Sequence, residues 1–155
     1  MTAGDSGGLD ALSAPDVTPE ELEWSMPESM RGLFPAFEWS VDQLWRLDLP
    51  ADELPLERFD WLLGIPFWRW MGRRWQLSLR DVLGDPGGYE AHVRKAMDAD
   101  LAHPIHIAES RDGHPIILDG YHRLLRAILA GHPTIRAVTV RRADLEALHR
   151  RETSA

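Results

Sequence analysis

Pro104-Ile105-His106-Ile107-Ala108, Arg111-Asp112-Gly113-His114, Pro115-Ile116-Ile117-Leu118 and Asp119-Gly120-Tyr121-His122-Arg123 follow one another almost without a break. The first piece reads as a strand, the second as a turn, and the third as a short, wholly apolar strand. Tyr121 to Ala130 reads as a helix, and Gly131 stands just past its end, where a left-handed residue is favoured. Ile135 to Val140 is rich in β-branched residues and reads as a further strand. Ala143 to Arg151 reads as a short final helix.

Moving upstream, Tyr89, Val93, Ala96 and Met97 form one face of a helix running to about Leu101. Asp85-Pro86-Gly87-Gly88 is a turn, and Trp75, Leu77 and Leu79 alternate with polar residues as in a half-buried strand. From Leu77 the order is strand, helix, strand, strand, helix, strand, helix. This pattern predicts an α+β fold over about residues 75–142, a small mixed β-sheet covered by helices, with a C-terminal helix and tail over 143–155.

The remainder of the chain differs in composition. All seven Trp and all four Phe lie at or before Trp75, and all seven His at or after His92. Residues 1–60 carry 14 acids and 3 Arg, a net of −11, and residues 61–155 carry 11 acids and 14 bases, a net of +3. Residues 1–17 lack an apolar period and read as a disordered tail. Gly4-Asp5-Ser6-Gly7-Gly8 looks like a serine-protease nucleophile loop, but a triad of that type needs its His and Asp upstream, where nothing stands. Residues 18–74 read as an acidic, Trp-rich helical extension. Thr18-Pro19-Glu20-Glu21 and Ser40-Val41-Asp42-Gln43 are helix starts. A third helix is expected from near Pro55, with Leu56, Phe59, Leu62 and Leu63 as its stripe and Gly64 and Pro66 as its stop.

The absence of Cys among 155 residues excludes disulfides, thiolate metal sites and a cysteine nucleophile. No apolar run is long enough to cross a bilayer, and the N-terminus lacks a basic and apolar leader, so a cytoplasmic protein is expected. A net charge of −8 disfavours DNA as a partner, because phosphate attraction needs an excess of Lys and Arg.

The chemistry concentrates at Asp119-Gly120-Tyr121-His122-Arg123, where an apolar strand becomes a helix. The first backbone N–H groups of a helix have no partner inside it, and the helix dipole adds partial positive charge there. Gly120 has no side chain to block an anion, and Arg123 in the first turn can fork onto phosphate oxygens, so the junction is a candidate phosphate cradle. Asp119 is the candidate metal ligand, for Mg²⁺, or the acceptor of a hydroxyl proton. His122 is a candidate to bond phosphate or shuttle a proton. A purely structural reading also exists: Asp119 caps the helix, or pairs with Arg123 across one turn.

His103 to Ile107, Gly113 to Leu124, Ala127 to Gly131 and Val138 to Val140 together resemble the ParB/sulfiredoxin superfamily. The shared pattern is a Pro-Ile strand, a hairpin, a Gly-x-x-Arg turn opening a helix, a Gly near the helix end and a closing strand. The resemblance covers about residues 100–140 and does not reach residues 1–70. Sulfiredoxins use a Cys in this turn, where this chain has His122, so that activity is not expected. ParB partition proteins bind CTP through the turn and follow it with a DNA-binding domain, for which the 15 residues after Val140 are too few. Asp119-Gly120-Tyr121-His122-Arg123 is most similar to the free serine kinase branch, whose turn reads Asp-Gly-His-His-Arg. That resemblance implies a nucleotide (ATP, ADP or CTP) held by Gly120, Tyr121, His122 and Arg123, assistance by Mg²⁺, and an upstream glutamate as catalytic base. Glu90 is the candidate, with the alternative that it only complements the dipole of its helix.

The expectation is a nucleotide-dependent kinase acting on a small hydroxyl compound, such as the free amino acid serine. The alternative is a non-catalytic nucleotide-binding switch or protein-interaction module, and a nuclease is the weakest of the three. Trp61, Phe67, Trp68, Trp70 and Trp75 are expected mainly to pack the extension onto the sheet, with a substrate pocket, a partner surface or a homodimer seam as the other readings. His103 and His106 are expected on opposite faces of a strand, which argues against a shared metal. Arg136, Arg141 and Arg142 form a small basic run expected to face solvent.

Overall fold

The computed structural model describes residues 37–70, 73–110 and 112–154. The expected tail at 1–17, the helix start at Thr18, and the side chains of Trp70 and Trp75 lie outside that description. Ser40 caps helix α1, Val41–Arg46, through a reciprocal capping box with Gln43. Strand β1, Asp52–Pro55, and a 3-10 helix over Leu56–Leu62 follow. Strands β2, Trp68–Trp70, and β3, Arg73–Leu77, make a two-stranded antiparallel ribbon. Helix α2 spans Leu79–Gly84, a 3-10 turn spans Pro86–Tyr89, and α3 spans Glu90–Asp98. Next come β4, Ile105–Glu109; β5, Pro115–Asp119; α4, Tyr121–Leu129; β6, Thr134–Thr139; and α5, Arg142–Ser154.

The fold is α+β, with a four-stranded mixed sheet in the order β1-β6-β4-β5. β4 and β5 form the expected antiparallel hairpin, and the chain returns through α4 to lay β6 parallel to β4. Alternation along these strands serves two cores. Ile105, Ile107, Ile117, Ile135 and Ala137 face a core shared with Leu124 and Leu125 of α4, Ala96 of α3 and Phe59, Leu62 and Trp68 of the preceding segment. Ala108, Leu118 and Val138 face a second core with Trp39, Leu44 of α1 and Leu145 of α5. A sheet covered on both faces explains why Pro115 to Leu118 is apolar throughout. Among the described residues, no helix is long and apolar enough to cross a membrane.

Two expectations are corrected. The stretch before residue 74 is not helical throughout, because β1 joins the main sheet as its edge, antiparallel to β6. Thr134 Oγ1 donates to Glu53 there at 2.8 Å. Two acids and a proline in four residues hide this strand from hydrophobic periodicity, though charge and proline are how edge strands resist further pairing. The helix expected from Pro55 is a single 3-10 stretch, with Phe59 and Leu62 buried as the stripe implied. The alternation of Trp75, Leu77 and Leu79 also ends early: Ser78 caps α2, so Leu79 opens a helix, and β3 belongs to the ribbon instead of the main sheet.

Candidate functional site

The turn from β5 into α4 places Gly120 at φ +116°, a left-handed conformation that L side chains rarely adopt. A Cβ at Gly120 would lie 2.6 Å from Ile105 Cγ2 and 3.1 Å from Arg123 Nη2. The sequence suggested that this glycine leaves room for an anion. The structure gives that room to Ile105 and Arg123, so the glycine lets the turn close against β4.

Around this turn, Val41, Trp45, Ala99, Asp100, His103 and residues 119–123 line a cleft of about 350 Å³. Its polar centre is the Asp119–Arg123 pair. Arg123 Nη2 donates to Asp119 Oδ2 at 2.9 Å, and Arg123 Nη1 donates to the Pro104 carbonyl at 3.0 Å. The indole N–H of Trp45 donates to the same Asp119 Oδ2 at 3.1 Å, so Oδ1 carries neither bond. The Arg123 guanidinium carbon lies 5.4 Å from the Trp45 ring centre, within cation–π range. The pairing across one helical turn, one of the two structural alternatives read from the sequence, is thus present. It stands in the wall of a cleft, with Arg123 mostly shielded from solvent.

The two side chains between Gly120 and Arg123 turn away. The Tyr121 ring packs near Phe67 and Trp68, and its buried hydroxyl has no hydrogen-bond partner among the described residues. Burial pushes the Tyr121 phenol well above its usual range. His122 Nε2 and His92 Nδ1 are 3.0 Å apart, and both rings stack on Trp68, at 5.1 and 4.3 Å. Burial, reinforced by His92 and Lys95, lowers the His122 pKa to about 3. His122 is therefore a neutral, inward-facing imidazole at pH 7, and it does not present a charge to the cleft. Tyr121 and His122 can serve a bound phosphate only through their backbone N–H groups, which have no partner inside α4.

Glu90 lies in the first turn of α3, exposed and outside the residues that line the cleft. Its position is that of an acid complementing the helix dipole. His103 and His106 depart from expectation. Both flank Trp45, with ring centres at 5.0 and 6.2 Å, because His103 precedes β4 and is not bound by strand alternation. Burial lowers the pKa of His106, with Asp119 opposing and Arg123 adding to that effect. No group of three metal-ligating side chains occurs among the described residues.

The tryptophans separate by role. Trp39 donates to the Leu118 carbonyl at 3.3 Å, Trp61 donates to the Pro115 carbonyl at 3.1 Å, and Trp68 is fully buried. These three pack the N-terminal part onto the sheet. Trp45 is 49% exposed. It is the site residue that sequence reasoning missed: a Trp in the second turn of a well-capped helix gives no local sign that it meets an Asp 74 residues away. Asp100 was missed similarly, because it stands in an irregular stretch without a motif.

Neither family models, curated proteins nor solved structures yield a match. The functional reading of the cleft therefore rests on its own geometry.

Proposed function

We propose that the chain is a nucleotide-binding module whose ligand enters the cleft at the start of α4 as its Mg²⁺ complex. One observation carries this reading: the first turn of α4, the Arg123 guanidinium and the half-exposed indole of Trp45 come together at one cleft. Backbone N–H groups and a guanidinium suit phosphate oxygens. The resemblance of the same turn to the ParB/sulfiredoxin superfamily points the same way.

The charges in the cleft favour a metal-bound ligand. Asp100 and Asp119 stand against Arg123, with His103 beside them. A bare polyphosphate would meet more acid than base. Mg²⁺ characteristically takes one or two carboxylates, keeps several waters and fills its shell with substrate phosphates. Asp119, through the Oδ1 that neither Arg123 nor Trp45 engages, and Asp100 would hold a cation that arrives with the ligand. When bound, the cation would neutralise phosphate charge. Asp119 would orient it while remaining anchored through Oδ2, and Trp45 would cover Arg123.

A small-molecule kinase acting on a hydroxyl compound such as serine is the second reading. Asp119 at the strand end favours it, as a carboxylate able to accept a hydroxyl proton. Glu90 and His122 add nothing to it where they stand, and phosphoryl transfer depends on positioning the acceptor as much as the donor. Homodimerisation through the Trp-rich part draws no support from Trp39, Trp61 and Trp68, which pack within one chain.

The test is thermal stabilisation by ATP, ADP, CTP and GTP, each with Mg²⁺, alongside phosphorus NMR with pooled amino acids. Stabilisation without turnover is expected. A new phosphomonoester signal that disappears in Asp119→Asn would favour the kinase. No stabilisation by any of the four would remove both readings.

A further inference from the structure

We infer that Trp45 is the platform on which the base of the nucleotide stacks, an assignment that rests on the nucleotide reading above and adds the group that would distinguish a nucleotide from inorganic polyphosphate. A tryptophan in a folded domain normally spends its large apolar surface on a core, as Trp68 does. Trp45 leaves nearly half of its surface in water while the rest of the ring is held from three sides. Its N–H is fixed by Asp119, Arg123 lies across the ring, and His103 meets it in a T-shaped contact with an angle of 63° between planes. These contacts fix the orientation of the ring before any ligand arrives, so little freedom is lost on stacking.

The placement suits a ligand with one aromatic end and one anionic end. The same Arg123 that touches the Trp45 ring stands in the first turn of α4, beside the N–H groups that suit phosphate. Stacking of a base on an aromatic side chain is tolerant of base identity, since every base presents a π face. The platform therefore predicts preference for nucleotides over polyphosphate, with weak discrimination among bases.

Calorimetric titration of the full chain with Mg²⁺-ATP and, separately, Mg²⁺-tripolyphosphate separates base from phosphate. The wild type is expected to bind ATP at least about fivefold more tightly than tripolyphosphate, from the usual strength of base stacking. Trp45→Ala should lower ATP affinity by a larger factor than tripolyphosphate affinity, so that most of the preference between the two ligands is lost. Trp45→Phe, which keeps a ring, should retain most of the preference. Circular dichroism melting checks that each variant is folded. Equal ATP affinity in wild type and Trp45→Ala, or an equal loss for both ligands, would overturn the platform while leaving the nucleotide reading standing. Binding of neither ligand by the wild type would overturn both.

Discussion

Trp45 and Trp68 stand on two sides of the same turn, and each keeps company with two histidines. Trp68 stacks with His92 and His122 in the core, where it is 1% exposed. Trp45 touches His103 and His106 at the cleft and is 49% exposed. The five-residue turn divides its side chains between them. Tyr121 and His122 go inward to Trp68, while Asp119 and Arg123 contact Trp45. The difference teaches that a motif can be chemically half-spent. Residues that look like a continuous phosphate-binding signature are divided between packing and an ion pair in the cleft wall, and only the second part is placed to meet a ligand.

If that division holds, the two tryptophans should differ most in stability. Trp68→Ala removes a fully buried ring from the larger core and should cost about 3–5 kcal/mol in urea unfolding. Trp45→Ala should cost about 1 kcal/mol or less, since much of its surface is already in water. Equal costs would break the comparison.

Acid should act through the Trp68 side. The His122 pKa is about 3 in the folded chain against roughly 6.5 when unfolded. Between those values the unfolded chain binds more protons, so this group's stabilisation is complete above about pH 6.5 and declines as pH falls toward 3. Unfolding at pH 4.5 and 7.5 should reveal a loss of about 2–3 kcal/mol from this residue. His122→Asn should flatten the profile by that amount, and an unchanged slope would place the acid sensitivity elsewhere.

Smaller effects are expected at the turn itself. Gly120→Ala puts a Cβ against Ile105 at a positive φ and should cost about 1–3 kcal/mol. Asp119→Asn removes the charge from a largely buried pair and should cost about 1–3 kcal/mol, with a further effect on Mg²⁺-dependent binding.

The sequence made the central segment readable because its signals are local. The apolar run Pro115 to Leu118, the glycine that opens α4 and Gly131 at φ +74° after it each act within a few residues. Long-range partners carry no such signal. β1 pairs with β6 through four residues of which only Leu54 and Pro55 are apolar, and nothing nearby marks them as sheet. His92 and His122 lie 30 residues apart, and Trp45 and Asp119 lie 74 apart. The candidate residues Asp119 to Arg123 could be found by reading the strand-to-helix junction. Which of them face the cleft is decided by α1, α3 and the ribbon, whose docking no local pattern encodes.

The most direct test follows backbone and indole N–H signals by two-dimensional ¹⁵N NMR as Mg²⁺-ATP is added. The account predicts the largest shifts at the amides of Tyr121, His122 and Arg123 and at the Trp45 indole, with the Trp68 indole nearly still. Shifts centred on the Trp68 indole, or none at the start of α4, would contradict it.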